Sequence, residues 1–209
     1  MTVRAPTGRA GRLWLIRRLD VAHRAAGLLE RKAKILRGEE QRLNLLTDRC
    51  RREWLPRAEE ASTWLLRAGL LGGQRPLRLG TDETAGRAVL RVGWRTSMGV
   101  RYPDEVALEL PPAPAGIAAI GSAALTQATG AHRAALGAGV RYAAATAALT
   151  RVRAELLATR RRLRGVEDRL IPRLEETLRL TELSLDEIER EEGLRLRWAH
   201  PERPTEPDS

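Results

Sequence analysis

The feature that most constrains this chain is an apolar pattern repeated every seven residues through its first third. Two interleaved sets of positions carry it, and all of them are apolar except Glu40 and Thr47. The first set is Leu15, Ala22, Leu29, Leu36, Leu43 and Cys50; the second is Leu19, Ala26, Ala33, Glu40, Thr47 and Trp54. Heptads sustained this long, with charged flanking positions, are typical of a coiled coil. The sequence therefore predicts a long helix with one apolar seam over about residues 8–68.

Two features bound this first helix. Pro56 has no backbone N–H and its ring crowds the preceding turn, so we expect a kink or a break there. The apolar pattern resumes after Pro56 and continues to Ala68. Gly72 and Gly73 then predict the end of the helix.

The middle of the chain, about residues 74–115, changes character. Two segments, 88–94 and 100–110, are rich in β-formers or alternate polar and apolar side chains. Such segments predict a short β-hairpin or a small sheet. Ser97-Met98-Gly99 is one candidate turn, and Asp104, which follows Pro103, is the alternative.

A second helix is predicted to begin near Gly116. Its first part is rich in Ala and Gly, which lets a neighbouring helix approach closely, although Gly137 and Gly139 weaken the helix locally. A second seam then begins at Leu149. Its predicted positions are Leu149, Val152, Leu156, Thr159, Leu163, Val166, Leu170, Leu174, Leu178, Thr181, Leu185 and Ile188. The four-residue step from Leu170 to Leu174 is a stutter beside Ile171-Pro172, where we expect a kink.

A hairpin-sized insert between two long helices favours antiparallel, intramolecular pairing. A helix of about 60 residues would be about 90 Å long, and both termini would lie at one end. The charges agree, because residues 182–192 are mostly acidic and would lie near Arg9, Arg12, Arg17 and Arg18. We therefore expect a mainly α fold: a long antiparallel two-helix coiled coil, with a short β-hairpin and an Ala/Gly-rich helical segment between its helices.

This fold predicts four segments along the chain. Residues 1–70 form the N-terminal long helix, and residues 71–115 form the hairpin and connector. Residues 116–198 form the C-terminal long helix. The tail, residues 199–209, contains three prolines and is expected to be disordered.

The sequence carries no pattern of an active site. Neither lysine follows a glycine as in a phosphate-binding loop, and the three histidines lack the spacing of metal ligands. Cys50 occupies a seam position, where a small buried apolar residue is expected, and a lone cysteine cannot form an intramolecular disulfide. We therefore expect no catalytic residue, no cofactor and no metal ion.

The net charge of +10 leaves several classes of partner open. Nucleic acid, an anionic membrane surface or an acidic protein could each attract such a chain. Clusters such as Arg51-Arg52 and Arg160–Arg164 lack interleaved aromatic residues, so solvated helix faces or protein contacts are favoured over nucleic acid. The longest uncharged stretch, Pro111–His132, is too weakly apolar to predict a membrane span.

Particular motifs resemble the D-subunit family of V/A-type ATPases. Pro6-Thr7-Gly8-Arg9, followed by a long Arg- and Leu-rich helix, is similar to the family's opening. The stronger match is the arginine-rich segment Arg160–Glu167 followed by Ile171-Pro172, and then the acidic end Leu185–Glu192. The motif residues singled out are Arg160, Arg161, Ile171, Pro172, Glu189 and Glu191. The middle of the chain matches in architecture alone, and arginines stand where the family usually has lysines.

The resemblance implies a non-catalytic central-stalk subunit of a rotary ATPase. Its paired termini would enter the catalytic A/B-type hexamer, and its middle would hold a small F-type stalk subunit and rest on a membrane-ring adaptor. It would couple ATP hydrolysis or synthesis to ion transport, with protons the expected ion, from the cytoplasmic face of the membrane. Arg9, Arg12 and Arg197 are the candidate hexamer contacts. The coiled-coil core would be Leu15, Leu19, Leu29, Leu36, Leu43, Leu156, Leu163, Val166, Leu170 and Leu174.

Three other interpretations remain open from the sequence. A coiled-coil scaffold or membrane-surface adaptor would form homodimers. A basic nucleic-acid binder would bind with a steep salt dependence. The γ shaft of F-type synthases is a closer relative, but it carries a larger α/β domain than about 40 middle residues allow.

Overall fold

The structure, a computed structural model, describes residues 6–73, 86–112 and 122–199. Helix α1 spans Gly8–Gly72 and is followed by strands β1, Val89–Ser97, and β2, Val100–Glu109. Helix α2 spans Ala123–Gly165, a π-helical segment spans Val166–Leu170, and helix α3 spans Ile171–Ala199. The predicted fold class, mainly α with an antiparallel hairpin between long helices, is confirmed. The start of the second helix near Gly116 and the C-terminal tail lie outside the described residues.

The chain divides into two compact units. The terminal unit consists of Met1–Arg31 and Thr159–Ser209, and the central unit consists of Lys32–Ala158. Helices α1 and α2 are each divided between the two units. Within the described residues, no helix is both long and apolar enough to cross a membrane.

Helix α1 runs through Pro56 without ending, so of the two outcomes expected there, a kink or a break, the break does not occur. Both Pro56 and Arg52, whose carbonyl would otherwise receive the missing N–H, are exposed. Water can therefore satisfy that carbonyl, and the proline is tolerated. The predicted end is confirmed: the helix stops at Gly72, and the Gly73 N–H donates to the Gly69 carbonyl at 3.0 Å. Gly73 has φ +69°, a left-handed conformation that glycine adopts readily at helix ends.

The heptad positions of α1 all lie inward. Of the twelve positions, Leu15, Ala22, Ala26, Ala33, Leu36, Leu43 and Cys50 are buried, and Leu19, Leu29, Glu40, Thr47 and Trp54 are half-buried. In the central unit, Leu36 and Leu43 pack with Val152 and Leu156. In the terminal unit, the same face of α1 packs against α3 and the π-helical segment. The members of that second cluster are Leu15, Ala22, Ile171 and Leu174, with Leu19, Val166, Leu170 and Leu178 at its edge.

The predicted turn of the hairpin is confirmed at Met98-Gly99. These two residues have φ 48° and φ 81°, as a type I′ turn between antiparallel strands requires. The alternative turn at Asp104 is wrong, because Asp104 lies inside β2. A bulge interrupts the pairing beside Gly93, between the pairs Val92–Val106 and Trp94–Pro103.

The Ala/Gly-rich part of α2 allows a close helix contact in the central unit. Gly139 lies against Trp54, and a Cβ atom placed on it would be 3.0 Å from the Trp54 Nε1 atom. The Trp54 ring also stacks on Tyr142, with ring centroids 5.3 Å apart. Gly137 and Gly139 both lie within α2, so the expected local weakening does not interrupt the helix.

The seam of the terminal unit differs from the predicted one near Pro172. The Ile171 N–H donates to the Val166 carbonyl, five residues earlier, which closes a π-helical turn. Ile171 is buried, so the seam includes this residue in addition to the predicted Leu170, which is half-buried at the edge of the same cluster, and the predicted Leu174, which is buried. Ile188, another predicted seam position, is 47% exposed. It lies where the opposing helix α1 begins, so little of α1 is available to cover it.

Candidate functional site

The two helix ends of the terminal unit are joined by ion pairs. Arg9 lies 2.8 Å from Glu189, and Arg12 lies 2.8 Å from Glu182. These contacts confirm the predicted antiparallel meeting of the basic N-terminus with the acidic stretch 182–192. Arg17 and Arg18, expected near the same stretch, form no ion pair within the described part of the chain.

Both ion pairs lie at the surface. The side chains of Arg9 and Glu189 are 81% and 55% exposed, and those of Arg12 and Glu182 are 45% and 42% exposed. Exposed pairs are screened by salt and contribute little to stability. The two ion pairs therefore offset part of the negative charge of Glu182 and Glu189, but they do not hold the helix ends rigidly together.

Arg197 differs from the other two candidate contacts. It lies in the last turn of α3, is exposed, and has no ion-pair partner among the described residues. A cation in the last turn also interacts favourably with the carbonyl end of the helix. Its charge is available to an external acidic group, whereas Arg9 and Arg12 already share theirs with α3.

The family-motif residues lie along α2 and α3 of the terminal unit. Arg160 is half-buried, and its Nε atom has no hydrogen-bond partner among the described residues. Arg161 and Pro172 are exposed, whereas Ile171 is buried. Glu189 pairs with Arg9, and Glu191 lies 3.8 Å from Arg195 on its own helix.

A second cluster, in the central unit, anchors the hairpin to the helices and is not predicted by the sequence patterns. Tyr102 of β2 is fully buried, and its hydroxyl donates to Glu39 of α1 at 2.6 Å. Arg42 also contacts Glu39, at 2.7 Å, and lies 3.5 Å from Asp104. The only feature of the sequence that could have pointed to this cluster is the rarity of aromatic residues, since Tyr102 is one of only two tyrosines.

The charges of this Tyr102–Glu39–Arg42 anchor support one another. The hydrogen bond from Arg42 lowers the pKa of the Glu39 carboxyl, and the Tyr102 hydroxyl adds to this effect. Burial raises the pKa of Tyr102, and the Glu39 carboxylate raises it further. The anchor therefore holds an ionised glutamate between two donors at neutral pH.

Trp94 forms the second anchor of the hairpin. The guanidinium carbons of Arg101 and Arg151 lie 4.9 and 5.0 Å from its ring centroid. Arg151 of α2 also donates to the Arg101 carbonyl at 3.1 Å. Cation–π contacts of this kind contribute about 0.5–1 kcal/mol at exposed sites. The hairpin is thus attached to α1 through Tyr102 and to α2 through Trp94.

Cys50 lies in the seam and is buried, as expected from its heptad position. Burial raises the pKa of its thiol, which disfavours the reactive thiolate. Within residues 6–73, 86–112 and 122–199, no group of three or more His, Cys, Asp or Glu side chains could hold a metal ion.

A family model that describes the D subunit of ATP synthase matches residues 13–200. The chain belongs to this family. It is similar to a V-type ATP synthase D subunit from Anaeromyxobacter sp. (strain Fw109-5), with 31% identity over 96% of this chain and 95% of the relative. It is also similar to an A-type ATP synthase D subunit from Pyrococcus horikoshii, with 31% identity over 88% of each chain. The resemblance to the D-subunit family is therefore confirmed.

The Tyr102 hydroxyl should make a measurable contribution to the stability of this family member. Changing Tyr102→Phe removes its hydrogen bond to an ionised acceptor, and we expect a loss of about 1.5–3 kcal/mol of unfolding free energy. Urea denaturation monitored by circular dichroism measures this. Tyr142→Phe is the matched control, because the Tyr142 hydroxyl has no partner among the described residues. Equal losses in the two variants would contradict the assigned hydrogen bond.

The lowered pKa of Glu39 also predicts a pH dependence of stability. A glutamate in the unfolded chain has a pKa of about 4.3, and the pKa of Glu39 in the folded protein is lower than its ordinary value. Its stabilising contribution is therefore fully present above the unfolded pKa and is lost as pH falls through the folded pKa. The stability difference between the wild type and Glu39→Gln should be constant above about pH 5 and shrink below about pH 4. A difference that grew on acidification would contradict the assigned charge state.

Proposed function

We propose that this chain is the non-catalytic central-stalk subunit of a V/A-type rotary ATPase. Membership of the ATP synthase D-subunit family supports a role within that complex. The observation that carries the rotor proposal is the antiparallel packing of the two helices of the terminal unit, through the apolar cluster that contains Leu15 and Leu174, with Arg9–Glu189 at the helix ends. A shaft that turns inside a ring needs two helices bound side by side, because a lone helix would twist under torque.

Three partners follow from this proposal. The paired helix ends would enter the catalytic A/B-type hexamer. The central unit, with its hairpin, would hold a small F-type stalk subunit and rest on the adaptor of the membrane ring. The chain would lie at the cytoplasmic face of the membrane and couple ATP hydrolysis or synthesis in the hexamer to ion transport, with protons the expected ion.

The surface chemistry of the helix ends suits a part that must keep turning. A rotor that bound one hexamer orientation tightly would stall there. The charged side chains at this end are exposed, and a contact between exposed charges of two proteins is weak and screened by salt. Contacts of this strength can form and break at every step of rotation.

The composition of the native complex tests the proposal. The affinity-tagged chain would be purified from its native host in mild detergent, and its partners would be identified by mass spectrometry. We expect a nucleotide-binding hexamer and a small stalk subunit to copurify. Recovery of a homodimer without other ATPase proteins would instead support a scaffold, and recovery of nucleic acid would support the basic binder.

Charge reversal at Arg197 tests the hexamer contact. Arg197→Glu should weaken binding of the chain to the isolated hexamer by about two- to fivefold at low salt, the effect of one exposed charge pair. Arg197 is preferred to Arg9 or Arg12, because reversal of those two would also place like charges beside Glu189 or Glu182. Arg52→Glu, an exposed substitution in the central unit, is the control. If Arg197→Glu left the affinity for the hexamer unchanged, the prediction that Arg197 contacts the hexamer would be wrong.

A further inference from the structure

The π-helical segment Val166–Leu170 coincides with a break in the spacing of the apolar seam. On its N-terminal side, the inward positions of the terminal unit are Thr159, Leu163 and Val166; on its C-terminal side, they are Ile171, Leu174, Leu178, Thr181 and Leu185. Within each set the steps alternate between three and four residues, as in a heptad. Leu170, inside the segment, is half-buried at the edge of the same cluster, but the first buried residue after Val166 is Ile171, five residues further along.

A five-residue step has one residue more than the heptad allows. An uninterrupted α-helix would rotate every later seam residue by about 100°, the angle of one residue at about 3.6 per turn. The side chains of Ile171 and Leu174 would then turn away from α1. In the structure they are 9% and 1% exposed, and both pack with Leu15 and Ala22.

The hydrogen bonding matches this spacing. The Ile171 N–H donates to the Val166 carbonyl, so the backbone closes its wide turn between the same two residues that make the five-residue seam step. We propose that the π-helical segment is a one-residue skip in the coiled coil, which keeps the seam in phase and is the point where the terminal unit's helices open most easily.

Three local features make this turn easy to open. None of the residues from Val166 to Leu170 is buried. Pro172 has no N–H, so one carbonyl of the preceding turn lacks a helical donor. Gly165, which comes directly before the segment, has more backbone freedom than any other residue type. π-Helical turns are rare and are found mostly as single insertions of this kind.

The π-helical turn has two possible causes, the extra residue in the seam or a distortion by Pro172 alone, and one deletion distinguishes them. Removing Asp168, which is exposed, shortens the step from Val166 to Ile171 to four residues. The alternation of three and four residues then becomes continuous from Thr159 to Leu185. Removing the exposed Glu175 is the matched control, because it leaves the five-residue step in place and shifts every later seam residue out of phase.

The deletions would be made in the full chain and followed by thermal unfolding and by amide hydrogen exchange. Deleting Asp168 should raise Tm by about 2–4 °C. It should also slow exchange of residues 164–172 by at least about tenfold. Deleting Glu175 should lower Tm. Pro172→Ala should keep the fast exchange, because the seam step is unchanged. The proposal that the segment is a one-residue skip would be wrong if Pro172→Ala slowed exchange as much as deleting Asp168. It would also be wrong if both deletions lowered Tm equally.

The wild-type chain supplies a test that needs no variant. Exchange of residues 164–172 should be faster than that of the flanking segments 155–163 and 174–182. Equal protection across the three segments would overturn the proposal. Because these measurements use the isolated chain, they are independent of whether it turns within an ATPase.

Discussion

Replacing Leu43 by alanine should lower the free energy of unfolding by about 2–5 kcal/mol, the range for large-to-small changes in a packed core. Leu43 is 1% exposed and packs with Leu36, Val152 and Leu156 at the centre of the helix contact in the central unit. Truncation removes buried methyl groups and leaves a cavity that two helices joined along one seam cannot easily close. Urea denaturation of the full chain, monitored by circular dichroism, measures the loss.

Leu45→Ala is the matched control for this substitution. Leu45 lies two residues further along the same helix and is 73% exposed. The same chemical change there should alter the unfolding free energy by no more than about 0.5 kcal/mol. A Leu43→Ala loss as small as that of Leu45→Ala would contradict the assignment of the seam.

Replacing Gly139 by leucine should lower the unfolding free energy by about 1–3 kcal/mol. A side chain at Gly139 would meet the Trp54 ring at 3.0 Å, and that ring is held against Tyr142. Leucine has a higher helix propensity than glycine, so steric crowding must exceed this gain for the variant to be destabilised. Thermal unfolding of the full chain measures the net effect.

Gly137→Leu is the matched control for Gly139→Leu. The nearest neighbouring atom to a Cβ at Gly137 is the end of the Arg141 side chain, at 3.9 Å. Without crowding, the propensity gain remains, and the variant should be more stable than the wild type by about 0.5–1 kcal/mol. If both leucine variants were equally stabilised, the close helix contact at Gly139 would be absent.

The fold could be predicted from the sequence because its main signals are periodic. Every heptad position of α1 is buried or half-buried, and the turn at Met98-Gly99 is marked in the sequence by Gly99, which adopts positive φ readily. The expected break of α1 at Pro56 does not occur, because the packing of the helix on both sides of Pro56 outweighs the local cost of the proline. Which face of the helix is packed is a tertiary property.

The change of spacing around Pro172 is visible in the sequence, and the predicted Leu170 and Leu174 both lie in the seam, but the prediction missed the buried Ile171. Counting from Leu170 to Leu174 gives a step of four, and counting from Val166 to Ile171 gives a step of five. Periodicity alone does not choose between them, because Leu170 and Ile171 are both apolar. In the structure Ile171 is buried, and Leu170 is half-buried at the edge of the same cluster.

The anchor of the hairpin could not be predicted from local patterns. It joins Tyr102 to Glu39, which lie 63 residues apart in the chain. A buried tyrosine needs a partner for its hydroxyl, but nothing in the sequence identifies which of the 27 acidic residues provides it. The helix-end pairs were easier to predict, because antiparallel pairing brings a basic run and an acidic run together.

Rotation of the chain inside the hexamer tests the central proposal most directly. A bead would be attached to a cysteine introduced at Ser97, beside the hairpin turn, with Cys50→Ser removing the native thiol. The catalytic hexamer would be fixed to a surface and supplied with ATP. If the chain is the central stalk, the bead should turn in one direction and stop when ATP is removed. A bead that stays still on hexamers that hold the chain and hydrolyse ATP would contradict the proposal.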